Sequence, residues 1–227
     1  MQRNSKHKPV KIAGGSLRGR KLLPPPGTGT RPMTGLAKKS IFSIVLPWLE
    51  DAVVLDLYSG TGTIGLESLS RGAKLACFAE RDRAVLNRLQ RNIEDCDMKE
   101  NSQIWAGNIE SKLGRWIEKL DQKIDVAFLD PPYPQVRNWK WSTIENKLFI
   151  PISQSLADDG LVVLRTPGKI EPPKMLGNLQ QKRVKEYGDM RIFFYTKPDE
   201  KSDDPVDNSQ ADLEATTDLT ESAETTN

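Results

Sequence analysis

From Ala52 onward the chain switches repeatedly between short apolar runs and amphipathic stretches, and that alternation constrains its fold more than any other feature. Residues 53–57, 75–80, 103–105 and 124–130 have the length and composition of buried strands. Between them, residues 63–70, 83–94 and 110–120 carry apolar side chains at helical spacing. Direct βα succession of this kind builds a mainly parallel sheet with helices on both faces, an α/β Rossmann-like architecture. A helix around 141–156, a strand at 161–165 and a closing pair near 183–187 and 192–195 complete the expected domain, residues 51–197.

A different composition precedes this series. Residues 11–23 mix apolar positions with Gly14, Gly15 and Gly19, which suits a short hairpin, and Pro24-Pro25-Pro26-Gly27 stiffens its exit. Leu36, Ile41, Phe42, Val45 and Leu46 then recur at helical spacing until Pro47 and Trp48, predicting a helix packed on the main domain. This extension, residues 1–50, is strongly basic: its first 49 residues contain ten lysines and arginines and no acid. The net charge of +2 hides the asymmetry, because residues 198–227 hold ten acids against Lys201 alone, leaving 32 bases and 21 acids in the rest. An excess of +11 suggests a polyanionic partner, with Arg18, Arg20, Lys21 and Arg31 as candidate contacts. Residues 198–227 have too few apolar side chains to offset their ordering entropy and are expected to be a disordered acidic tail.

Apolar runs are far shorter than the ~20 residues that cross a bilayer, and no secretory signal is recognisable, so a cytoplasmic protein is expected. Cys77 and Cys96 read as reduced thiols without metal-ligand spacing, and no metal is expected. His7 reads as a solvated residue of the basic leader. Trp139 and Trp141 suit either a lid or packing at a helix start.

Two motifs carry chemistry. Val54-Leu55-Asp56-Leu57-Tyr58-Ser59-Gly60-Thr61-Gly62-Thr63-Ile64-Gly65 lies where a strand turns into a helix, with glycines that permit a tight turn and close ligand approach. Glu80 ends the next strand twenty residues after Gly60, where a carboxylate accepts hydrogen bonds from ribose hydroxyls. The loop alone fits NAD as well as S-adenosylmethionine. Asp56 favours the latter, because a carboxylate before the glycines opposes a pyrophosphate but suits the ammonium of a methionine moiety. The candidate cofactor-binding set is Asp56, Tyr58, Ser59, Gly60, Gly62, Gly65, Glu80, Arg81 and Asp130.

The second motif is Asp130-Pro131-Pro132-Tyr133, the candidate catalytic group, at the carboxyl end of the fourth strand of the alternating series. The prolines fix the backbone and remove amide donors, leaving carbonyls that only accept. Such a cradle suits an exocyclic amino group, whose two hydrogens Asp130 and the Pro131 carbonyl would take up, while Tyr133 offers a face for base stacking. The motif does not by itself name the acceptor, since adenine N6 in DNA and protein glutamine are also amino acceptors. A catalytically silent RNA-binding protein of ribosome assembly is a further alternative.

The chain resembles the RsmD-type methyltransferases, which methylate guanine N2 in bacterial 16S ribosomal RNA. The resemblance spans about Lys11 to Tyr195 and rests on Ile12-Ala13-Gly14-Gly15, Arg18-Gly19-Arg20-Lys21, Thr30-Arg31-Pro32, Gly65-Leu66-Glu67-Ser68-Leu69-Ser70-Arg71-Gly72-Ala73, the Asp130 tetrapeptide, and Tyr187-Gly188-Asp189. It implies a seven-stranded class I methyltransferase fold, S-adenosylmethionine as donor with S-adenosylhomocysteine as product, and ribosomal RNA or an assembling small subunit as partner of a monomeric enzyme. It also implies that the hairpin contacts RNA, and it adds Asn108, near the adenine amino group, to the cofactor set. Several positions depart from the family pattern: Gly35, Leu36 and Lys39 after Arg31-Pro32, Asn108 in place of an aspartate, and Arg165 at a strand end where an acid is usual.

Overall fold

The computed structural model describes residues 10–26 and 35–198. The expectations for His7, for Arg31 and for the acidic residues beyond Pro198 lie outside them. The extension begins with a two-stranded hairpin, β1 (Val10–Lys11) and β2 (Lys21–Leu22), followed by α1 (Gly35–Val45) and a 3-10 turn (Leu46–Trp48). The alternating series follows as β3 (Val53–Leu57), α2 (Thr63–Ser70), β4 (Leu75–Glu80), α3 (Arg83–Asp95), β5 (Ser102–Ala106), α4 (Ile109–Glu118) and β6 (Ile124–Leu129). A short α5 (Tyr133–Arg137) precedes α6 (Trp141–Ile144), a π turn (Glu145–Phe149) and α7 (Ile150–Ser155). The chain then runs through β7 (Leu156–Pro167), β8 (Met175–Leu176), β9 (Leu179–Tyr187) and β10 (Met190–Thr196).

The sheet order is β5-β4-β3-β6-β7-β10-β9-β8. Strands β5 to β7 are parallel, and β10 lies antiparallel between β7 and β9. This is the Rossmann-like class I methyltransferase arrangement, with a two-residue edge strand, β8, added to the seven implied by the resemblance. Because β3 is flanked by β4 on one side and β6 on the other, the connections diverge there and leave a crevice at the strands' carboxyl ends.

Period-two alternation sends side chains to opposite faces. Leu55, Leu57, Cys77, Leu129, Val162 and Phe193 pack beneath α4 and the helical run through α7, whereas Val54, Ala76, Phe78, Val126 and Phe128 pack beneath α1, α2 and α3. The helix expected at 141–156 is continuous but widens into the π turn just before Pro151, which lacks the N–H that an α-helical ladder needs. Helix α1 buries Ile41, Phe42 and Val45, but Leu36 and the neighbouring Leu46 are 74% and 49% exposed, so the apolar stripe is narrower than its spacing suggested.

The hairpin is fastened to α2 by one carboxylate. Glu67, fully buried, accepts the amides of Ala13 and Gly14 at 2.7 and 2.8 Å and pairs with Lys38 and Arg71, each at 2.9 Å. Lys38 also donates to the Lys11 carbonyl at 2.7 Å, so this member of the basic count is interior. Burial raises the Glu67 pKa, but hydrogen bonds from Lys38, Ala13 and Arg71 outweigh it and hold the carboxyl below its ordinary range. Gly15, at φ 76°, completes the joint, since a Cβ there would lie 1.6 Å from the Ser70 carbonyl oxygen. At the other end of the hairpin, buried Asn92 accepts the Leu23 amide and donates to the carbonyls of Leu23 and Thr61, joining the extension to the glycine loop.

Candidate active site

Asp56, the fourth residue of β3, is buried, and its Oδ2 accepts the Gly65 amide at 2.8 Å. Its Oδ1 is buried without a hydrogen-bond partner, as is the neighbouring Ser59 Oγ. Desolvation pushes the carboxyl up to about 7; the Gly65 amide opposes the shift, and the charges of Asp130 and Glu80 add to it. A buried carboxylate oxygen and a buried hydroxyl three residues apart, neither with a partner, mark a place built for a donor from outside the chain.

The glycines divide their work. A Cβ on Gly62 would strike Leu89 of α3 at 2.4 Å and one on Gly65 would strike Phe78 of β4 at 2.2 Å, so these two permit α2 to lie close on its neighbouring helix and on the sheet. A Cβ on Gly60, φ 56°, would meet nothing within 4 Å. Open space above a left-handed backbone is where a ligand approaches. Glu80 receives the Gly60 amide on Oε2 at 3.1 Å and the Arg81 and Asp82 amides on Oε1 at 2.7 and 3.0 Å. It therefore shapes the loop while three amides leave part of its acceptor capacity unused. Asn108 caps α4, its Oδ1 accepting the Ser111 amide at 3.1 Å. Tyr58, also left-handed at φ 63°, points its hydroxyl to Glu110 at 3.4 Å. Gln135 and the Trp139 indole donate to the same Glu110 oxygen at 2.6 and 3.3 Å. Trp139 thus packs against Tyr58 and Trp141 as a wall, the packing alternative for this pair.

Across the crevice, Asp130 follows β6 and its amide donates to the Leu57 carbonyl at 3.2 Å, which sets the second motif beside the first. The Pro132 carbonyl accepts the amides of Gln135 and Val136. The Pro131 carbonyl has no backbone donor among the described residues, because its turn partner, residue 134, is a proline. Asp130 Oδ1 accepts from Arg165 Nε, and the Arg165 guanidinium lies 5.2 Å from the centre of the Tyr133 ring. Burial raises the Asp130 pKa, and the guanidinium offsets only part of the rise, so the carboxyl stays above its ordinary range.

A family model described as "Conserved hypothetical protein 95" matches residues 10–196. Ribosomal RNA small subunit methyltransferase D of Escherichia coli K12 is 30% identical over 191 residues, covering 83% of this chain and 90% of that protein. The Bacillus subtilis protein YlbH, provisionally named an rRNA methyltransferase, is 30% identical over 188 residues, covering 83% of this chain and 99% of that one. The chain belongs to the RsmD-type methyltransferase family. The solved structure of Escherichia coli yhhF, provisionally named a methyltransferase, superimposes with a TM-score of 0.65 at 28% identity, covering 84% of this chain and 98% of that one. This RsmD-type chain is an enzyme of the superfamily that binds S-adenosylmethionine. The residues present fit that donor: an orphaned carboxylate oxygen for an ammonium, the remaining acceptor capacity of Glu80 for hydroxyls, and open space over Gly60.

The crevice gathers Asp56, Tyr58, Ser59, Gly60, Glu80 and the Asp130 tetrapeptide from sequence positions up to 77 residues apart. The hairpin candidates Arg18, Arg20 and Lys21 are all exposed; burial raises the thiol pKa of Cys96 at the end of α3, and the charge of Arg20 opposes that shift. Glu67, Asn92 and Glu110 escaped the sequence reading. Glu67 had left a signal, an acid inside an otherwise apolar helix.

Proposed function

We propose that this RsmD-type enzyme methylates the exocyclic N2 of a guanine in 16S ribosomal RNA. The carrying observation is that two acceptors on consecutive residues, Asp130 Oδ2 and the Pro131 carbonyl, have no hydrogen-bond partner among the described residues, at the end of the strand that pairs with the one bearing Asp56. When bound, S-adenosylmethionine supplies an electrophilic methyl group on a sulfonium. Asp56 and Ser59 would hold its amino acid part, Glu80 and Arg81 its ribose side and Asn108 its adenine. An exocyclic amine is a weak nucleophile because its lone pair is delocalised into the ring. Asp130 and the Pro131 carbonyl accept its two hydrogens, orient the lone pair and stabilise the positive charge that develops on nitrogen. Asp130 takes the proton after transfer, when the methylated nitrogen is strongly acidic. Pro132 stiffens the cradle, and Tyr133 stacks on the base, worth about 1–3 kcal/mol.

Guanine, RNA and the small subunit enter through the names of the relatives and the basic extension, residues 1–50, serving the catalytic residues 51–197. The test uses ribosomal RNA and small subunits from cells lacking this gene, methylated in vitro and mapped by mass spectrometry. One guanine gaining an N2 methyl is expected; methylation of adenine or of protein only would overturn the reading. Asp130→Ala is expected to lower kcat/KM by roughly 10²–10³-fold while donor binding, measured calorimetrically, holds.

A further inference from the structure

Strands β6 and β7 are parallel with Leu129 paired to Leu164, so the residues that follow, Asp130 and Arg165, stand level at the carboxyl edge. The resemblance led to an acid at this strand end; the chain has a cation. Arg165 is only 12% exposed, and it meets two members of the acceptor motif at once, the Asp130 carboxylate through Nε and the Tyr133 ring, whose centre lies 5.2 Å from the guanidinium carbon. A long, rotamer-rich side chain held in one geometry by an ion pair and a ring contact at a partly buried site fixes the groups it touches.

We propose that Arg165 is a positioning residue for methyl acceptance, turning Asp130 so that Oδ2 faces the incoming amino group and setting the plane of Tyr133. This rests on the reading of Asp130 as the acceptor of the amine's hydrogens. Contact through Oδ1 alone leaves Oδ2 without a partner among the described residues, so the guanidinium and an amino group occupy different oxygens. Arg165 also favours the ionised form of Asp130. Asp130 is desolvated and stays above its ordinary range even beside the guanidinium; of the other charged groups on this edge, Asp56 on β3 and Glu80 on β4 are acids, and Arg81, after Glu80, is exposed. Without a cation, Asp130 would hold its proton to higher pH and present an O–H where the amine needs an acceptor.

Single-turnover methylation of small-subunit RNA across pH tests this, using Arg165→Gln and Arg165→Lys, with calorimetric donor binding as the check on folding. In Arg165→Gln the acid limb of the rate profile is expected to move up by roughly 1–3 pH units with donor affinity unchanged. Arg165→Lys keeps the charge but lacks the broad planar guanidinium that reaches both Asp130 and Tyr133, so its acid limb stays in place while KM for RNA rises. If Arg165→Gln fails to bind donor, the Lys variant's split between KM and pH profile carries the test alone. A wild-type profile in both variants would overturn the proposal, and faster turnover by Arg165→Gln would show instead a plug that the substrate must displace. Full activity of Asp130→Ala would sink the underlying reading; its inactivity beside a wild-type Arg165→Gln would sink this one only.

Discussion

Helix α2 is bordered by two buried carboxylates that have opposite fates. Glu67, on the helix, receives two backbone amides, a lysine and an arginine, and its pKa lies below the ordinary range. Asp56, beneath the helix, receives the Gly65 amide on one oxygen, leaves the other empty, and is pushed up to about 7. A fold that satisfies one buried carboxylate so completely has the means to satisfy another. The difference therefore separates a residue that holds the chain together from one that awaits a ligand.

The saturated joint gives the largest expected effect. Glu67→Ala strands the buried Lys38 and two amides, and breaking a buried pair from one side costs about 3–5 kcal/mol. At about 2–4 °C per kcal/mol for a domain of this size, melting should fall by about 6–20 °C. Calorimetry checks it, and an unchanged midpoint would show that the hairpin docks without its carboxylate. Asp56→Ala at the other carboxylate should lack this penalty, because no buried cation is left behind.

Asp56 should instead show itself through protons. A carboxylate must be ionised to hold an ammonium, so with a pKa of about 7 donor affinity should rise roughly tenfold per pH unit below 7 and level off above. Titrations in buffers of different ionisation enthalpy should report uptake of about one proton by the buffer at pH 6. Stability should run the other way. The folded state keeps a proton that the unfolded chain releases above its ordinary 3.8, so this group's contribution falls as pH rises between those values. Asp56→Asn should flatten both dependences and melt higher than the native chain at pH 8. A pH-independent affinity in the native chain would remove Asp56 from the donor site.

These contrasts also locate the limit of what was legible in the residues. Strands β3, β4 and β6 and helix α2 were readable end to end, because a run buried on both faces and an amphipathic run differ in period within a few residues. The glycine loop and Asp130-Pro131-Pro132-Tyr133 were readable because their chemistry is local. The Glu67 joint was not, since its partners lie 53 and 54 residues away and only the packing of hairpin on helix brings them together. Arg165 stood out only as a departure, its partner Asp130 being 35 residues earlier and set level by strand register. Counting charges failed for the same reason, treating Lys38 as surface although it is 5% exposed.

Arg20 carries the smallest expected effect. Arg18, Arg20 and Lys21 are equivalent as charges in the extension and all three are exposed on the hairpin, but Arg20 alone lies near enough to Cys96 to oppose the burial-driven rise of its thiol pKa. A lysine or arginine that neutralises a phosphate releases counterions, and each such contact adds about 0.7–0.9 to the slope of log affinity against log salt. Arg18→Ala and Lys21→Ala should each lower that slope for ribosomal RNA by about this amount, whereas Arg20→Ala should leave it nearly unchanged and lower the melting midpoint slightly. The saturated and unsaturated classes would then hold for cations as for carboxylates: a group already engaged within the fold supports it, and a group left open meets the substrate. Equal slope changes at all three positions would break the parallel and return Arg20 to the RNA surface.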